Sequence, residues 1–445
     1  MSKTIATMPS PRRSLCSNPL TLKKLKIWWL SRARICHTAS PVEITQRREI
    51  PRRPYVKHSN KYAMVPSHAL QRHFDLEKRQ TLLEALSNTF DGNRIEMRSL
   101  QFGVVTSGVS YLNVREALPD FSVLKIGMTY PVPHQLIRNF ASQVKYLYVA
   151  GENRPFLEEE ILALGVAVEG KQQLLRVGEL TAEALRRRIL HTSAGQKPPA
   201  EDIPERPPQF CPGCGHRGVF HLLAKHRLIV IGDIGCYSLA ALPPHDAMDT
   251  IVCMGASIGM DHGFRKVAAT SECTVAVIGD STFAHSGLAS LANVVYNSGT
   301  STIIILDNHI TVMTGHQPSP SSGKTLKGQD APILDPTAVS KALGIRNVHE
   351  CDSYDLASLE RLLLDSISRK ECSVIVVRER CAIVDRKPYG PPYKVTDECK
   401  VCLRLGCPAI TLENNQPFIL DYLCYGCGIC VKICPNRAIV AGDEP

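Results

Sequence analysis

Four cysteines in the run Cys424-Tyr-Gly-Cys427-Gly-Ile-Cys430-Val-Lys-Ile-Cys434-Pro435 carry the most specific chemistry in the chain. The C-x2-C-x2-C-x3-C-P spacing lets three thiolates wrap one iron–sulfur cube while the cysteine before the proline reaches a second. Zinc knuckles use paired C-x2-C elements instead, so zinc is the weaker reading of four such closely spaced cysteines. Upstream, Cys399, Cys402 and Cys407-Pro408 supply most of a partner motif, with Asn414-Asn415 at the turn between the halves. The third cysteine of that half should stand at position 405, which is leucine. If Cys407 crosses over, Cys407, Cys424, Cys427 and Cys430 complete one cube. Cys399, Cys402 and Cys434 then leave the other site with three thiolates, enough for a three-iron cluster or for a cube with a non-cysteine ligand.

A second constellation lies in mid-chain. Gly279-Asp280-Ser281 follows the apolar run Thr274 to Ile278, and Asp307-Asn308 follows the apolar run Thr302 to Leu306. A carboxylate and a carboxamide at two strand tips are hard oxygen ligands that can hold Mg²⁺ against a diphosphate. The pair matches the thiamine diphosphate motif imperfectly: Ser281 replaces its last glycine and Asp307 its first asparagine. Taken alone, Gly-Asp after a strand is also ordinary structural punctuation.

The elements that must position these groups alternate. Gln101 to Tyr111 reads as strand, turn and helix start, with the helix running to Leu118. Leu124 to Gly127 and Tyr146 to Val149 read as strands between the helical stretches Pro133 to Ala141 and Phe156 to Leu164, and the helix Ala182 to Leu190 closes the unit. This is α/β alternation around a parallel sheet. A Pro-rich linker, Ser193 to Gln209, precedes a second α/β unit with apolar runs at Leu228 to Ile231, Ile251 to Met254, Thr274 to Ile278, Thr302 to Leu306 and Val374 to Val377. Ligands of doubly wound sheets bind at the carboxyl ends of such strands. Pro388 to Pro392 marks a hinge into the cysteine-rich tail.

At 445 residues and 44% hydrophobic content the chain is long enough for two or three domains with their own cores. Seventeen cysteines in this spacing, without a signal peptide, point to a reducing cytoplasm. No apolar run is long enough to span a membrane. The net charge of +10 does not imply nucleic-acid binding, because residues 1 to 60 hold 13 Lys and Arg against Glu43 and Glu49 and the rest is near neutral.

The order of Cys211-Pro-Gly-Cys214-Gly-His216-Arg217, Gly232-Asp-Ile-Gly-Cys236-Tyr-Ser238, Met254-Gly-Ala-Ser-Ile-Gly259, the Gly279-Asp280 block and Asp307-Asn-His-Ile-Thr-Val-Met-Thr-Gly-His-Gln-Pro318 resembles the thiamine-binding domain of 2-oxoacid:ferredoxin oxidoreductases. With a ferredoxin tail on the same chain, and Gly127-Met-Thr-Tyr-Pro-Val-Pro133 in the middle, it is similar to the large subunits of the indolepyruvate branch. The resemblance covers roughly residues 30 to 440.

It implies two doubly wound α/β domains and a small α+β tail. The first, residues 61–195, is transketolase C-terminal-like; the second, 209–386, binds thiamine diphosphate; residues 393–445 form a two-cluster ferredoxin domain. It makes Asp280, Asn308 and the carbonyl of Ile310 the Mg²⁺ ligands, and sets Gly279 and Ser281 against the diphosphate. His216 becomes a candidate for touching cofactor or substrate, although a lone histidine is as often a structural hydrogen bonder. Cys211, Cys214, Cys236 and Cys381 become a candidate third cluster beside thiamine, against the plainer reading of buried free thiols.

The implied reaction is oxidative decarboxylation of an aryl 2-oxoacid, indolepyruvate in this branch, with coenzyme A as acyl acceptor and ferredoxin as electron acceptor. A smaller beta subunit and a hetero-oligomer go with it. The alternatives are another 2-oxoacid or a non-catalytic electron-transfer subunit. Large subunits of this kind begin with a pyrimidine-binding domain that supplies a glutamate to the cofactor. Only its last strand is expected here, from Leu30 to Ile44, within the basic head of residues 1–60. Catalysis by the chain alone is therefore expected to be weak unless another chain supplies that wall.

Overall fold

The computed structural model describes residues 54–171, 174, 176–192, 207–267, 274–379, 381–385, 388–399, 405–413 and 416–442. The strand expected from Leu30 to Ile44, nearly all of the basic head, most of the Pro-rich linker, Cys402, Asn414 and Asn415 lie outside the described residues. The chain divides into two compact units between Ile203 and Pro204.

In the first unit a long helix, α1 (Pro66–Asn88), starts on a proline whose missing N–H is not needed there. A four-stranded sheet follows, built from β1 (Arg94–Glu96), β2 (Phe102–Ser107), β3 (Ser122–Ile126) and β4 (Tyr146–Ala150) in the order β1-β3-β2-β4. Helices α2 (Ser110–Ala117), α3 (His134–Ala141), α4 (Phe156–Ala163) and α5 (Ala182–Ile189) connect and close it. The last is capped by Thr181, whose hydroxyl oxygen accepts the Ala184 N–H at 3.1 Å. Strands β2, β3 and β4 are parallel as expected, but β1 pairs antiparallel with β3 at the edge. Three residues, Arg94-Ile95-Glu96, are too few to carry a strand pattern that a sequence reading could find.

The second unit carries a six-stranded, all-parallel sheet. Its elements are α6 (His216–Lys225), β5 (Ile229–Gly232), β6 (Thr250–Ile251), α7 (Ala256–Val267), β7 (Thr274–Gly279), α8 (Leu288–Tyr296), β8 (Thr302–Asp307), α9 (Pro336–Ala342), β9 (Asn347–Asp352), α10 (Leu356–Ser368) and β10 (Ser373–Arg378). The period-two alternation of the strands divides them between two helical layers. Val275, Val277, Ile304, Leu306, Ile375 and Val377 pack with α6 and α10, whereas Ala276, Ile278, Ile303, Ile305, Val374 and Val376 pack with α7 and α8. Covering both faces is why these strands read as unbroken apolar runs.

The strand order β6-β5-β7-β8-β10-β9 reverses direction between β5 and β7, so the crevice outside their carboxyl ends is where a ligand belongs. The strand expected from Ile251 to Met254 is shorter, ending at Ile251, because the chain beyond it turns to bring Gly255, at φ +84°, onto a buried carboxylate. The edge strand β9 was not legible, since Asn-Val-His-Glu-Cys-Asp is mostly polar.

The tail adds β11 (Tyr393–Val395), β12 (Ile410–Glu413), β13 (Gln416–Ile419), α11 (Ile429–Ile433) and β14 (Ile439–Ala441) as two antiparallel pairs and one short helix. Leu405 and Ile429 of the tail are buried in the same core as α6 and α10. Among the described residues no helix is long and apolar enough to cross a membrane.

Candidate cofactor sites

Strand β7 delivers Asp280 to the crevice. The preceding Gly279 N–H donates to the Tyr237 hydroxyl at 3.0 Å, which sets the strand end. Asp280 is 3% exposed and its Oδ2 accepts a hydrogen bond from the Ser321 hydroxyl. Burial pushes its carboxyl up, against the bonds from Ser321 and the Ser281 backbone. Among the described residues no lysine or arginine makes an ion pair with it, although the charge of Arg378 reaches it from a distance. A buried carboxylate without a direct cationic partner is a costly arrangement that a metal ion would resolve, so the residues present fit Mg²⁺.

On the neighbouring strand tip the pattern is reversed. Asp307 is fully buried and ion-paired with Arg378, and its Oδ1 lies 3.2 Å from the His309 ring. It fastens the loop rather than facing the crevice. Asn308, next along, lines the crevice with its Oδ1 accepting the Ile310 N–H at 3.2 Å. Ser281 also lines the crevice, its hydroxyl accepting from Thr311 at 2.8 Å. The crevice has a volume of about 280 Å³. Its rim is set by Asp233, a buried residue whose carboxylate accepts from Gly255 N–H at 2.9 Å and Ser257 N–H at 3.2 Å. The role of Asp233 was missed, although it sits inside the Gly232 to Ser238 motif.

Behind this crevice is a second cavity, lined by all of Cys211, Cys214, Cys236 and Cys381. His216, Cys236, Asn308 and Val312 line both spaces, so the two share a wall. The Cys211–Cys214 turn is closed by Cys214 N–H donating to the Cys211 carbonyl at 3.2 Å, with Gly213 at φ +74° between them. His216 is buried, with Nδ1 at 3.1 Å from the Cys214 sulfur and Nε2 at 2.9 Å from Glu379 Oε1. Burial opposes the charged imidazole, but Glu379 and Cys214 outweigh it and hold His216 well above the ordinary histidine range. Both ring nitrogens are thereby engaged, which gives His216 a positioning role and leaves it no free donor for substrate.

The tail forms a third, small cavity in which Cys407, Cys424, Cys427 and Cys430 meet. Gly426 and Gly428, at φ +64° and +70°, let the chain wrap between those cysteines. Burial and then the neighbouring sulfurs push the Cys430 thiol up to about 12. Leu405, where a third cysteine of the first half would stand, is buried and lines this cavity as an apolar wall. Cys434 accepts the Ala438 N–H at 3.4 Å and Cys399 is half-buried, but their presumed companion Cys402 lies outside the described residues. Among the described residues no three His, Cys, Asp or Glu side chains crowd closely enough to bind one metal ion. A cube bonds each thiolate to a different iron and needs them around a void rather than around a point, so cysteine-lined cavities fit a cluster better than zinc.

Residues 233–377 match the C-terminal TPP binding domain of thiamine pyrophosphate enzymes, and residues 417–440 match the 4Fe-4S binding domain. The indolepyruvate oxidoreductase subunit IorA of Archaeoglobus fulgidus is 32% identical, over 92% of this chain and 71% of its own length. The chain belongs to the IorA family. Its relative of the same name in Thermococcus kodakarensis is 34% identical, over 86% of this chain and 67% of its own. A solved 2-oxoglutarate:ferredoxin oxidoreductase from Magnetococcus marinus, with 2-oxoglutarate, coenzyme A and succinyl-CoA bound, is 20% identical, with a TM-score of 0.35 over 40% of this chain and 66% of that one. As a member of the IorA family the chain is an oxidoreductase subunit built for thiamine diphosphate and iron–sulfur clusters.

Proposed function

We propose that the chain catalyses oxidative decarboxylation of an aryl 2-oxoacid, indolepyruvate first, as the large subunit of a hetero-oligomer with a smaller subunit. Carbon dioxide leaves, the acyl carbon joins the coenzyme A sulfur, and two electrons pass singly to ferredoxin. Bound thiamine diphosphate supplies the electron sink for loss of carbon dioxide. Asp280, Asn308 and the Ile310 carbonyl hold its Mg²⁺, with Gly279 and Ser281 along the diphosphate. The observation that carries this reading is the wall shared by the thiamine crevice and the cavity of Cys211, Cys214, Cys236 and Cys381. A cluster in that cavity would stand directly beside the thiamine as its electron acceptor.

A cube in that cavity, a second held by Cys407, Cys424, Cys427 and Cys430, and a third site using Cys399, Cys402 and Cys434 form the onward path. None of the described cysteines is paired in a disulfide, which leaves their sulfurs open to ligation. His216 fixes Cys214 against Glu379 and so holds one ligand of the first cube in place.

The test is indolepyruvate-dependent reduction of ferredoxin by the anaerobically purified chain with its small subunit. Activity should require coenzyme A and Mg²⁺-thiamine diphosphate, and Cys381→Ser should remove about four irons per chain. Preference for an aliphatic 2-oxoacid would overturn the substrate. Full iron and bound cofactor without turnover of any 2-oxoacid would leave an electron-transfer role only.

A further inference from the structure

Arg217, one residue beyond His216 on α6, is 1% exposed. Its guanidinium donates to the Cys211 carbonyl at 3.1 Å, the Phe210 carbonyl at 2.7 Å and the Gly406 carbonyl at 3.3 Å. It thus ties the chain at Cys211, a lining residue of one cavity, to the chain just before Cys407, a lining residue of the other. It also lines the tail cavity itself. Its charge acts on Cys211 in one cavity and on Cys427 in the other.

Three carbonyls satisfy N–H groups but cancel no charge. Among the described residues no carboxylate pairs with Arg217, and its Nε is buried without a hydrogen-bond partner. His245 offers no compensation, since burial and then Arg217 hold it down at about 4 and it stays neutral. An unpaired buried guanidinium is expensive, and the missing anion has only the two flanking cavities to come from. A four-iron cube with four thiolates is such an anion, and reduction adds one more negative charge to it.

We propose that Arg217 is the shared counter-ion of two iron–sulfur clusters, one in the cavity of Cys211, Cys214, Cys236 and Cys381 and one in that of Cys407, Cys424, Cys427 and Cys430, and that its charge raises the reduction potential of both. This rests on the reading that both cavities hold clusters. A fixed positive charge favours the state with the extra electron, so the same residue tunes donor and acceptor together and keeps the step between them level.

The experiment is a redox titration followed by electron paramagnetic resonance on the anaerobically purified full chain, with Arg217→Gln and Arg217→Lys alongside the parent and an iron count on each. Arg217→Gln should lower both midpoint potentials at unchanged iron content, while Arg217→Lys, which keeps the charge and loses the fork, should hold both near the parent values. His245→Glu places a carboxylate beside Arg217 without removing it and should lower both potentials too, which keeps the test available if the glutamine variant sheds its clusters. Unmoved potentials in Arg217→Gln, a shift in one cluster only, or Arg217→Lys falling as far as Arg217→Gln would each overturn the proposal. A parent chain whose iron count is unaffected by Cys381→Ser would instead show that the first cavity holds no cluster, and the underlying reading would fail with it.

Discussion

Asp280 and Asp307 stand at the tips of adjacent parallel strands, and both are buried, yet their surroundings differ in kind. Asp307 has its cation in the protein: Arg378 pairs with it and reaches on to Asp335 at 2.6 Å and Glu350 at 3.2 Å. Asp280 has only hydroxyl and backbone donors in direct contact, feels Arg378 from a distance, and faces open space. Arg217 repeats the second arrangement with the sign inverted, a buried cation that meets three carbonyls and the Phe210 ring but no carboxylate, between two cysteine cavities. A charge that the fold neutralises itself belongs to the loop it fastens. One left buried without its opposite marks where a bound group brings the opposite charge.

That contrast breaks if the two aspartates behave alike. Asp280→Ala is expected to weaken Mg²⁺-thiamine diphosphate binding by at least about 100-fold, since it removes the charged metal ligand itself. The cofactor-free protein should melt no lower, because burial makes ionised Asp280 a cost to the fold. Asp307→Asn should do the reverse, lowering cofactor-free stability by about 2 kcal/mol through the lost charge-assisted bond to Arg378, which keeps Asp335 and Glu350 as partners, with a smaller loss of affinity, about 10-fold, through the displaced Asn308. Calorimetry and thermal melts on both variants decide it; equal losses of affinity would erase the distinction.

A smaller effect tests the cysteine side. Leu405 is an apolar wall of the four-cysteine cavity, so Leu405→Ala is expected to cost about 2 to 3 kcal/mol of stability while leaving the iron content unchanged. Iron lost in proportion to stability would mean that the wall helps to hold the cluster rather than merely enclosing it.

The residues that meet in these sites were legible to the extent that spacing fixes them. Cys424, Cys427 and Cys430 share one turn of chain, and Asp280 and Asn308 end two apolar runs. That Cys407 would join the first three followed from its Cys-Pro crossover, whereas the placing of Cys381 with Cys211, Cys214 and Cys236 is a long-range contact that only the family resemblance suggested. The parallel strands were readable because both faces are apolar. The edge strands β1 and β9 were not, for the first is only three residues long and the second mostly polar. Arg217, Glu379 and Arg378 were invisible for another reason. Each matters through burial and through a partner far along the chain, and an isolated arginine or glutamate in a sequence reads as surface.

The smallest expected effect concerns His245, which sharpens the account of unpaired charge around Arg217. Burial comes first and Arg217 and His221 follow in holding it at about 4, against an ordinary value of 6.5. Its Nε2 is buried without a hydrogen-bond partner, and its ring packs edge-on against Phe210 at 5.2 Å. The folded state keeps this ring neutral between pH 6.5 and about 4, while the unfolded chain takes up a proton there. Stability must therefore fall as pH drops through that window and be unaffected by His245 above it. His245→Phe preserves the ring packing, needs no partner for a buried nitrogen and cannot titrate. The variant is expected to equal or slightly exceed the parent at pH 7.5, and to lose less stability on acidification to pH 5. Denaturant melts of the cluster-loaded proteins at the two pH values measure the difference. Parallel losses would mean that His245 is charged in the folded chain, and that the site around Arg217 already contains an anion supplied by the protein.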